Sequence, residues 1–199
     1  MHVRVNMITG ATDIDGGVAL LRDKIVPELA GAKGFRGVTC SGDRTRREVG
    51  ILTLWETREA LDASDSAAAK LRAEAMAVIG GSVTLSIMEE VVGEAVAPPS
   101  PGSRLRVVTT RMDPAKVDEN IDFFRSAVLP EMKATPGFCS VRNLVDRATG
   151  EGVVGTVWAD EASMTAAEPA AAERQGLARA RGIEISEPSY REILFAHLV

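Results

Sequence analysis

The pentapeptide IVPEL at Ile25–Leu29 returns as VLPEM at Val128–Met132, and the surrounding sequence returns with it at the same offset of 103 positions. Chance does not hold one register through proline, glycine-phenylalanine and tryptophan, so the chain is predicted to contain two copies of one unit. The other matched positions are Gly34-Phe35 with Gly137-Phe138, Asp43-Arg44 with Asp146-Arg147, Glu48 with Glu151, Thr53 with Thr156, and Trp55 with Trp158.

The matched register predicts an N-terminal repeat at residues 1–92 and a C-terminal repeat at residues 104–199. Between them, residues 93–103 read GEAVAPPSPGS. Its prolines favour an extended conformation that rises about 3.1 Å per residue, so the segment is predicted to be a linker that spans roughly 30 Å.

Both copies show the same order of strand, helix, strand, strand, helix and strand. Residues 2–9 alternate apolar and polar side chains, which is typical of a strand, and residues 15–32 carry apolar residues at helical spacing. Pro27 and Pro130 fall inside the first helix of each copy, where they predict a kink and not a helix end. The remaining predictions are second helices at 57–79 and 160–181, the latter broken by Pro169, and last strands at 83–92 and 190–198.

The order βαββαβ is that of the ferredoxin-like motif, in which two helices cover one face of the sheet. The other face would expose apolar side chains to water, and a second copy of the unit is already tethered to cover it. The predicted fold class is therefore α+β, with two ferredoxin-like repeats that form an intramolecular dimeric α+β barrel.

Composition narrows the classes of partner. The chain has 199 residues, of which 45% are hydrophobic and 26% charged, and a net charge of −5. An acidic balance argues against nucleic acid as the partner. The sequence shows no signal peptide and no apolar run of about 20 residues, so we expect a cytoplasmic protein without a membrane partner. Cys40 and Cys139 lie outside any CxxC pair and are expected to be reduced and buried.

A proline in the first helix is followed seven residues later by Gly-Phe, and then come a strand, a hairpin and the Trp55-Glu-Thr57 segment. This arrangement resembles the antibiotic biosynthesis monooxygenase-like dimeric α+β barrels, and the resemblance covers nearly the whole chain. The resemblance implies the fold above. It also implies either a cofactor-independent monooxygenase of quinol-type substrates or a relative without catalysis. Haem-degrading members use an asparagine on the first strand, where Asn6 stands, but their second-helix tryptophan and histidine have no match at residues 62–75 or 165–178. Haem is therefore not expected, and neither is any other cofactor or metal.

Six residues are candidates for a site. Asn6, on the first strand, is the catalytic candidate, because its amide could stabilise a substrate anion that reacts with oxygen. The substrate-binding candidates are Arg36, Trp55, Arg142, Asn143 and Trp158. Each also has a structural explanation: a buried amide bonded to backbone, core aromatics, or arginines at a solvated edge.

Two functions stay open. The first is a monooxygenase-like protein that binds a small molecule and oxidises a small apolar or quinol-type substrate without a cofactor. The second is a non-catalytic ligand-binding or scaffold barrel. The expected partners are a small-molecule ligand and the tethered second repeat, with a further homodimer left open.

Overall fold

The computed structural model describes residues 1–199, which form two compact units. The first unit comprises residues 1–88 and 192–199, and the second comprises residues 89–191. Each unit therefore holds most of one repeat together with one strand segment that the sequence places in the other repeat.

The first unit contains β1 (His2–Thr9), α1 (Ile14–Leu20), a π-helical turn (Leu21–Ile25), α2 (Val26–Ala30), β2 (Phe35–Asp43), β3 (Glu48–Trp55), α3 (Arg58–Ala63), α4 (Asp65–Ile79) and the start of β4 (Ser82–Ala95). Its strands lie in the order β4-β1-β3-β2, and the end of β9 (Ser189–Leu198) pairs with β2. β3 pairs antiparallel with both β1 and β2, and the order of elements along the chain confirms the βαββαβ order predicted for this repeat.

The second unit repeats this plan. It contains the end of β4, β5 (Arg104–Arg111), a 3-10 turn (Pro114–Lys116), α5 (Val117–Phe123), a π-helical turn (Phe124–Val128), α6 (Leu129–Ala134), β6 (Phe138–Asp146), β7 (Glu151–Trp158), α7 (Glu161–Ala166), α8 (Glu168–Ala180), a short β8 (Glu184–Ile185) and the start of β9. Its strand order is β4-β6-β7-β5-β9, with β8 also beside β5. None of the helices is long and apolar enough to cross a membrane.

Pro27 and Pro130 each lie just beyond a π-helical turn, and the two turns occupy equivalent positions in the repeats. The N–H group of Val26 donates to the carbonyl oxygen of Leu21, and that of Leu129 donates to Phe124, each five residues back. A wider turn of this kind relieves the crowding that an interior proline causes, and the helix continues through Pro27 and Pro130. The prediction that the helices continue past these prolines is therefore correct, and the sequence offset carries over to the backbone.

The second helices are each broken once, at Ser64 and at Ala167, which are equivalent positions. The prediction that Pro169 breaks the helix is wrong in its cause. Pro169 lies in the first turn of α8, where a proline is well tolerated, and the first repeat breaks at the same place without one.

The predicted linker begins too early. Gly93, Glu94 and Ala95 belong to β4 and pair with β6 opposite residues 140–142, so their backbone groups form a sheet ladder. The compact units likewise differ from the repeat boundaries, because the end of β4 pairs with β6 and the end of β9 pairs with β2. The constant sequence offset between the repeats does not show which strand each strand pairs with.

Buried aromatic pairs occupy matching places in the two cores. Phe35 and Trp55 meet edge to face with ring centroids 5.4 Å apart, and Phe138 and Trp158 do so at 5.9 Å. In both hairpins the phenylalanine lies opposite the tryptophan across the antiparallel ladder. Gly34 and Gly137, which precede the phenylalanines, both have positive φ and allow the chain to turn from helix to strand.

Cys40 on β2 is 1% exposed within the first core, and burial raises the pKa of its thiol to about 12. The thiol of an unfolded chain ionises near pH 9, so the unfolded state gains free energy from ionisation at a pH where the folded state cannot. The contribution of this buried thiol to stability is complete below that pH and is lost as the pH rises toward 12.

We therefore expect the free energy of unfolding to fall more steeply with pH in the wild type than in Cys40→Ala, by about 1.4 kcal/mol per pH unit between pH 9.5 and 11. Urea unfolding at a series of pH values measures both slopes. The absolute stabilities will differ because the alanine leaves a small void, so the comparison concerns the slopes alone. Parallel curves would contradict the prediction.

Candidate functional site

In each unit a partly open cavity lies between the helices and the sheet. The cavity of the second unit has a volume of about 100 Å³, and that of the first about 50 Å³. We refer to them as the second-repeat cavity and the first-repeat cavity. Because the scaffold is duplicated, differences between them come from side chains at equivalent positions.

A buried arginine on the first strand of each repeat lines both cavities. Arg4 is 2% exposed and Arg106 is 8% exposed, and each pairs with a carboxylate at the start of the second long helix. Arg4 binds Asp65, and Nε of Arg106 lies 2.9 Å from Oε1 of Glu168. The registers of β1 on β3 and of β5 on β7 show that these strands match with an offset of 102, one less than elsewhere in the repeat.

In the first repeat the arginine is surrounded by partners. Besides Asp65, its guanidinium donates to Oγ of Ser64 and to the carbonyl oxygen of Leu61, both at 3.0 Å, and it stands 6.0 Å from the ring centroid of Trp55. Burial lowers the pKa of Arg4, and the charge of Asp65 opposes that shift. Only its Nε lacks a partner, so its charge is balanced within the unit.

In the second repeat a further arginine enters the cavity. Arg174 on α8 is 6% exposed, and its Nη2 has no hydrogen-bond partner. Burial lowers the pKa of its guanidinium, and the exposed Glu131 opposes that shift. The equivalent residue of the first repeat is Leu71, which packs in the core at 4% exposure. Where the first repeat has a hydrophobic side chain, the second repeat has a buried cation.

Other polar atoms of the second-repeat cavity are also without partners: Oγ1 of Thr110, Nε1 of Trp158 and Nε2 of Gln175. The contrast with the first repeat is clearest at the tryptophans. Nε1 of Trp55 donates to Oγ1 of Thr53 at 3.1 Å, whereas Nε1 of Trp158 makes no such bond although Thr156 lies at the equivalent position. Buried donors without acceptors are rare in proteins, and three of them, on Trp158, Arg174 and Gln175, border this cavity, against one on the first-repeat cavity, Nε of Arg4.

The rest of the second-repeat cavity is apolar. Side chains from α5, the π-helical turn and α6 form one wall, and strands of the sheet form the opposite one. The apolar residues on these walls are Val108, Met112, Val117, Ile121, Phe123, Phe124, Val128, Met132, Val145, Val154, Ala171, Ala178, Ile183 and Ile185. The arrangement combines an apolar body with a few polar donors, as small-molecule sites do.

Two of the predicted site residues meet in the second-repeat cavity: Asn143 on β6 and Trp158 at the end of β7. Asn6 lies instead on the first-repeat cavity, where its Nδ2 donates to the carbonyl oxygen of Ile51 at 3.5 Å and its Oδ1 has no partner. Trp55 is fully buried beside Phe35.

The predicted arginines lie elsewhere. Arg36 pairs with Glu56 at 2.8 Å, with both side chains well exposed, and Arg142 pairs with the buried carboxylate of Glu90. Neither lines either cavity. A substrate-binding role for these two residues stays a prediction.

Sequence reasoning missed Arg106 and Arg174. Arg106 could have been found, because aligning the first strands with one residue of slip places it on Arg4, and the offset of 103 that holds elsewhere aligns their carboxylate partners, Asp65 and Glu168. Arg174 gives no such signal, since an arginine within the alanine-rich stretch 170–180 resembles a solvated helix face.

No family model matches this chain. An uncharacterized protein of Mycobacterium tuberculosis is 29% identical over 187 residues, which is 93% of this chain and 83% of that protein. Among solved structures, a candidate monooxygenase of Fusobacterium nucleatum superposes with a TM-score of 0.73 at 12% identity, covering 99% of this chain and 94% of the other.

An anthrone oxidase-like protein superposes with a TM-score of 0.65 at 16% identity, covering 99% of this chain and 92% of the other. The chain has the dimeric α+β barrel fold of monooxygenase-like proteins. The fold class predicted from the sequence, α+β with two ferredoxin-like repeats, is thereby confirmed. At these identities the likeness establishes the fold, and function has to be argued from the cavities.

The unequal bonding of the two tryptophans makes a prediction about stability. Thr53→Val removes the acceptor of a buried indole N–H group and should lower the free energy of unfolding by about 1–3 kcal/mol. Thr156→Val should cost about 1 kcal/mol less, because Nε1 of Trp158 has no bond to lose. Urea unfolding of the two variants provides the comparison, and equal losses would contradict the asymmetry.

Proposed function

We propose that this chain is a monooxygenase-like protein that binds a small, largely apolar molecule in the second-repeat cavity. The observation that carries the proposal is the gathering of partnerless donors, on Trp158, Arg174 and Gln175, around an otherwise apolar space. A cavity of about 150 Å³ in another protein binds benzene. The 100 Å³ of this cavity therefore suits a ligand of about one aromatic ring.

The chemistry that the fold suggests is oxidation of a quinol-type molecule by oxygen without a cofactor. In such a step the ionised hydroquinone passes two electrons to O₂ and becomes a quinone. The O₂ takes up two protons, one from solvent, where ionisation released it, and one from the hydroxyl group that is still protonated. It leaves as hydrogen peroxide. Hydrogen-bond donors at fixed positions would support this reaction by stabilising the ionised oxygen. Asn143, on the wall of the same cavity, would help to orient the ring.

A second function, ligand binding without catalysis, is favoured by one observation. The residues that line the second-repeat cavity include no carboxylate and no imidazole. A general base must lie within hydrogen-bond reach of the proton it removes, so a quinol would have to enter this cavity already ionised. A ligand carrier or sensor needs no such base.

Matched alanines on the second helices separate the two cavities experimentally. Ala171 lines the second-repeat cavity, and the equivalent Ala68 lines the first. We expect Ala171→Leu to fill the second-repeat cavity and to lower both hydroquinone affinity and hydroquinone-dependent oxygen uptake at least tenfold. Ala68→Leu and Asn6→Ala should leave both unchanged. Calorimetry measures affinity, an oxygen electrode measures uptake, and circular dichroism verifies that each variant is folded.

The outcomes distinguish the two functions. Binding without oxygen uptake would favour the non-catalytic function. Loss of uptake in Ala68→Leu and Asn6→Ala, with Ala171→Leu unaffected, would assign the oxidation to the first-repeat cavity and to Asn6. If neither hydroquinone nor benzyl alcohol, the second probe, binds to the chain, the proposal is overturned.

A further inference from the structure

The charges around the second-repeat cavity do not balance. Two guanidinium groups line it, those of Arg106 and Arg174, and Glu168 pairs with the first of them. Oε1 of Glu168 also accepts a hydrogen bond from the Tyr190 hydroxyl at 3.1 Å, so this carboxylate is already shared. The carboxylates that act on Arg174 from a distance, Glu131 and Glu173, are both exposed.

A guanidinium nitrogen that is buried without a hydrogen-bond partner, as Nη2 of Arg174 is, is unfavourable because it loses hydration without gaining a compensating interaction. The fold itself does not require this cation. At the equivalent position of the first repeat, Leu71 packs in the core beneath the same pair of helices. Arg174 therefore has no structural explanation in the repeat, and a group that carries negative charge would supply the missing partner.

The neighbouring donors fit the same ligand. Nε1 of Trp158, Nε2 of Gln175 and Oγ1 of Thr110 all lack partners on the same cavity. Three of these four partnerless groups, counting Arg174, can only donate, and the fourth is a hydroxyl that can also donate. A ligand rich in acceptor oxygens satisfies such a set, whereas an uncharged hydrocarbon leaves it unsatisfied.

We propose that Arg174 binds the oxyanion of a small aromatic ligand, a ring carboxylate or an ionised ring hydroxyl, and that the chain holds one such ligand. This inference rests on the proposed function, since it specifies the class of molecule that occupies the second-repeat cavity. The first repeat has no equivalent buried cation: Leu71 takes the place of Arg174, Arg4 is paired within its own unit, and Arg72, which also lines that cavity, is partly exposed.

Titration calorimetry with benzoate, 4-nitrophenolate and the uncharged benzyl alcohol tests the proposal. We expect one benzoate or one 4-nitrophenolate per chain, and the stronger of the two identifies the kind of oxyanion. Arg174→Leu, which installs the residue of the first repeat, should weaken binding of that anion about 10- to 100-fold, the range expected for hydrogen bonds to a charged group. Its affinity for benzyl alcohol should change less than about threefold. Arg174→Lys should retain part of the anion affinity.

Arg72→Leu is the matched control, because Arg72 lines the first-repeat cavity at the position equivalent to Gln175. It should leave anion binding unchanged. Binding of benzyl alcohol but of neither anion would overturn this inference and leave the proposed function standing, and failure of all three probes would overturn both. If Arg174→Leu binds the anion as tightly as the wild type, the role of Arg174 is overturned. Should the leucine variant not fold, Arg174→Gln takes its place in this comparison.

Discussion

The interaction on which the rest depends is the pairing of a buried arginine on the first strand with a carboxylate at the start of the second long helix. It occurs as Arg4 with Asp65 and as Arg106 with Glu168. A guanidinium inside the helix–sheet layer must keep a carboxylate close, because a buried charge without a partner is far more costly than a paired one. The pair therefore fixes the helix to the sheet while holding polar atoms inside an apolar layer. Both cavities lie beside this pair, and the break in the helix before each carboxylate, at Ser64 and at Ala167, places it within reach.

From one scaffold the two repeats have diverged in opposite directions. In the first repeat Ser64 bonds the arginine, Thr53 bonds Trp55, and Leu71 packs in the core where the second repeat has Arg174. The second repeat has alanine at 167 in place of the serine, an indole N–H group without an acceptor, and a cation at 174. The first-repeat cavity has unpartnered atoms of its own, Nε of Arg4 and Oδ1 of Asn6, and the second repeat has Val108 in place of Asn6. Because the backbone plan is the same, these differences act directly on what each cavity can hold.

Much of the fold could be predicted because its determinants are local or repeated. The constant offset through Pro27, Phe35 and Trp55 predicts the duplication, and the alternation of strands and helices predicts the βαββαβ order. What could not be predicted involves partners distant in sequence. Arg4 on an alternating strand resembles a solvent-facing residue until Asp65, 61 positions later, is placed beside it. Of the residues that line the second-repeat cavity, Asn143 and Trp158 were among the predicted candidates. Arg174 was not, because α8 reads as an exposed alanine-rich helix until it is known to cover a cavity.

The places where a sequence breaks the rules of its own fold are the places where function is expected, since a locally unfavourable residue persists only when something compensates it. Repeats make that reasoning stricter, because the second copy shows what the fold accepts at the same position. Leu71 shows that an apolar residue fits the helix at this point, so the cation at Arg174 is not needed for packing. Trp55 with Thr53 likewise shows that the indole N–H group can be satisfied, so the free donor of Trp158 is not imposed by the hairpin. Both departures lie in the same repeat and border the same cavity, and a ligand bearing acceptor oxygens accounts for them together.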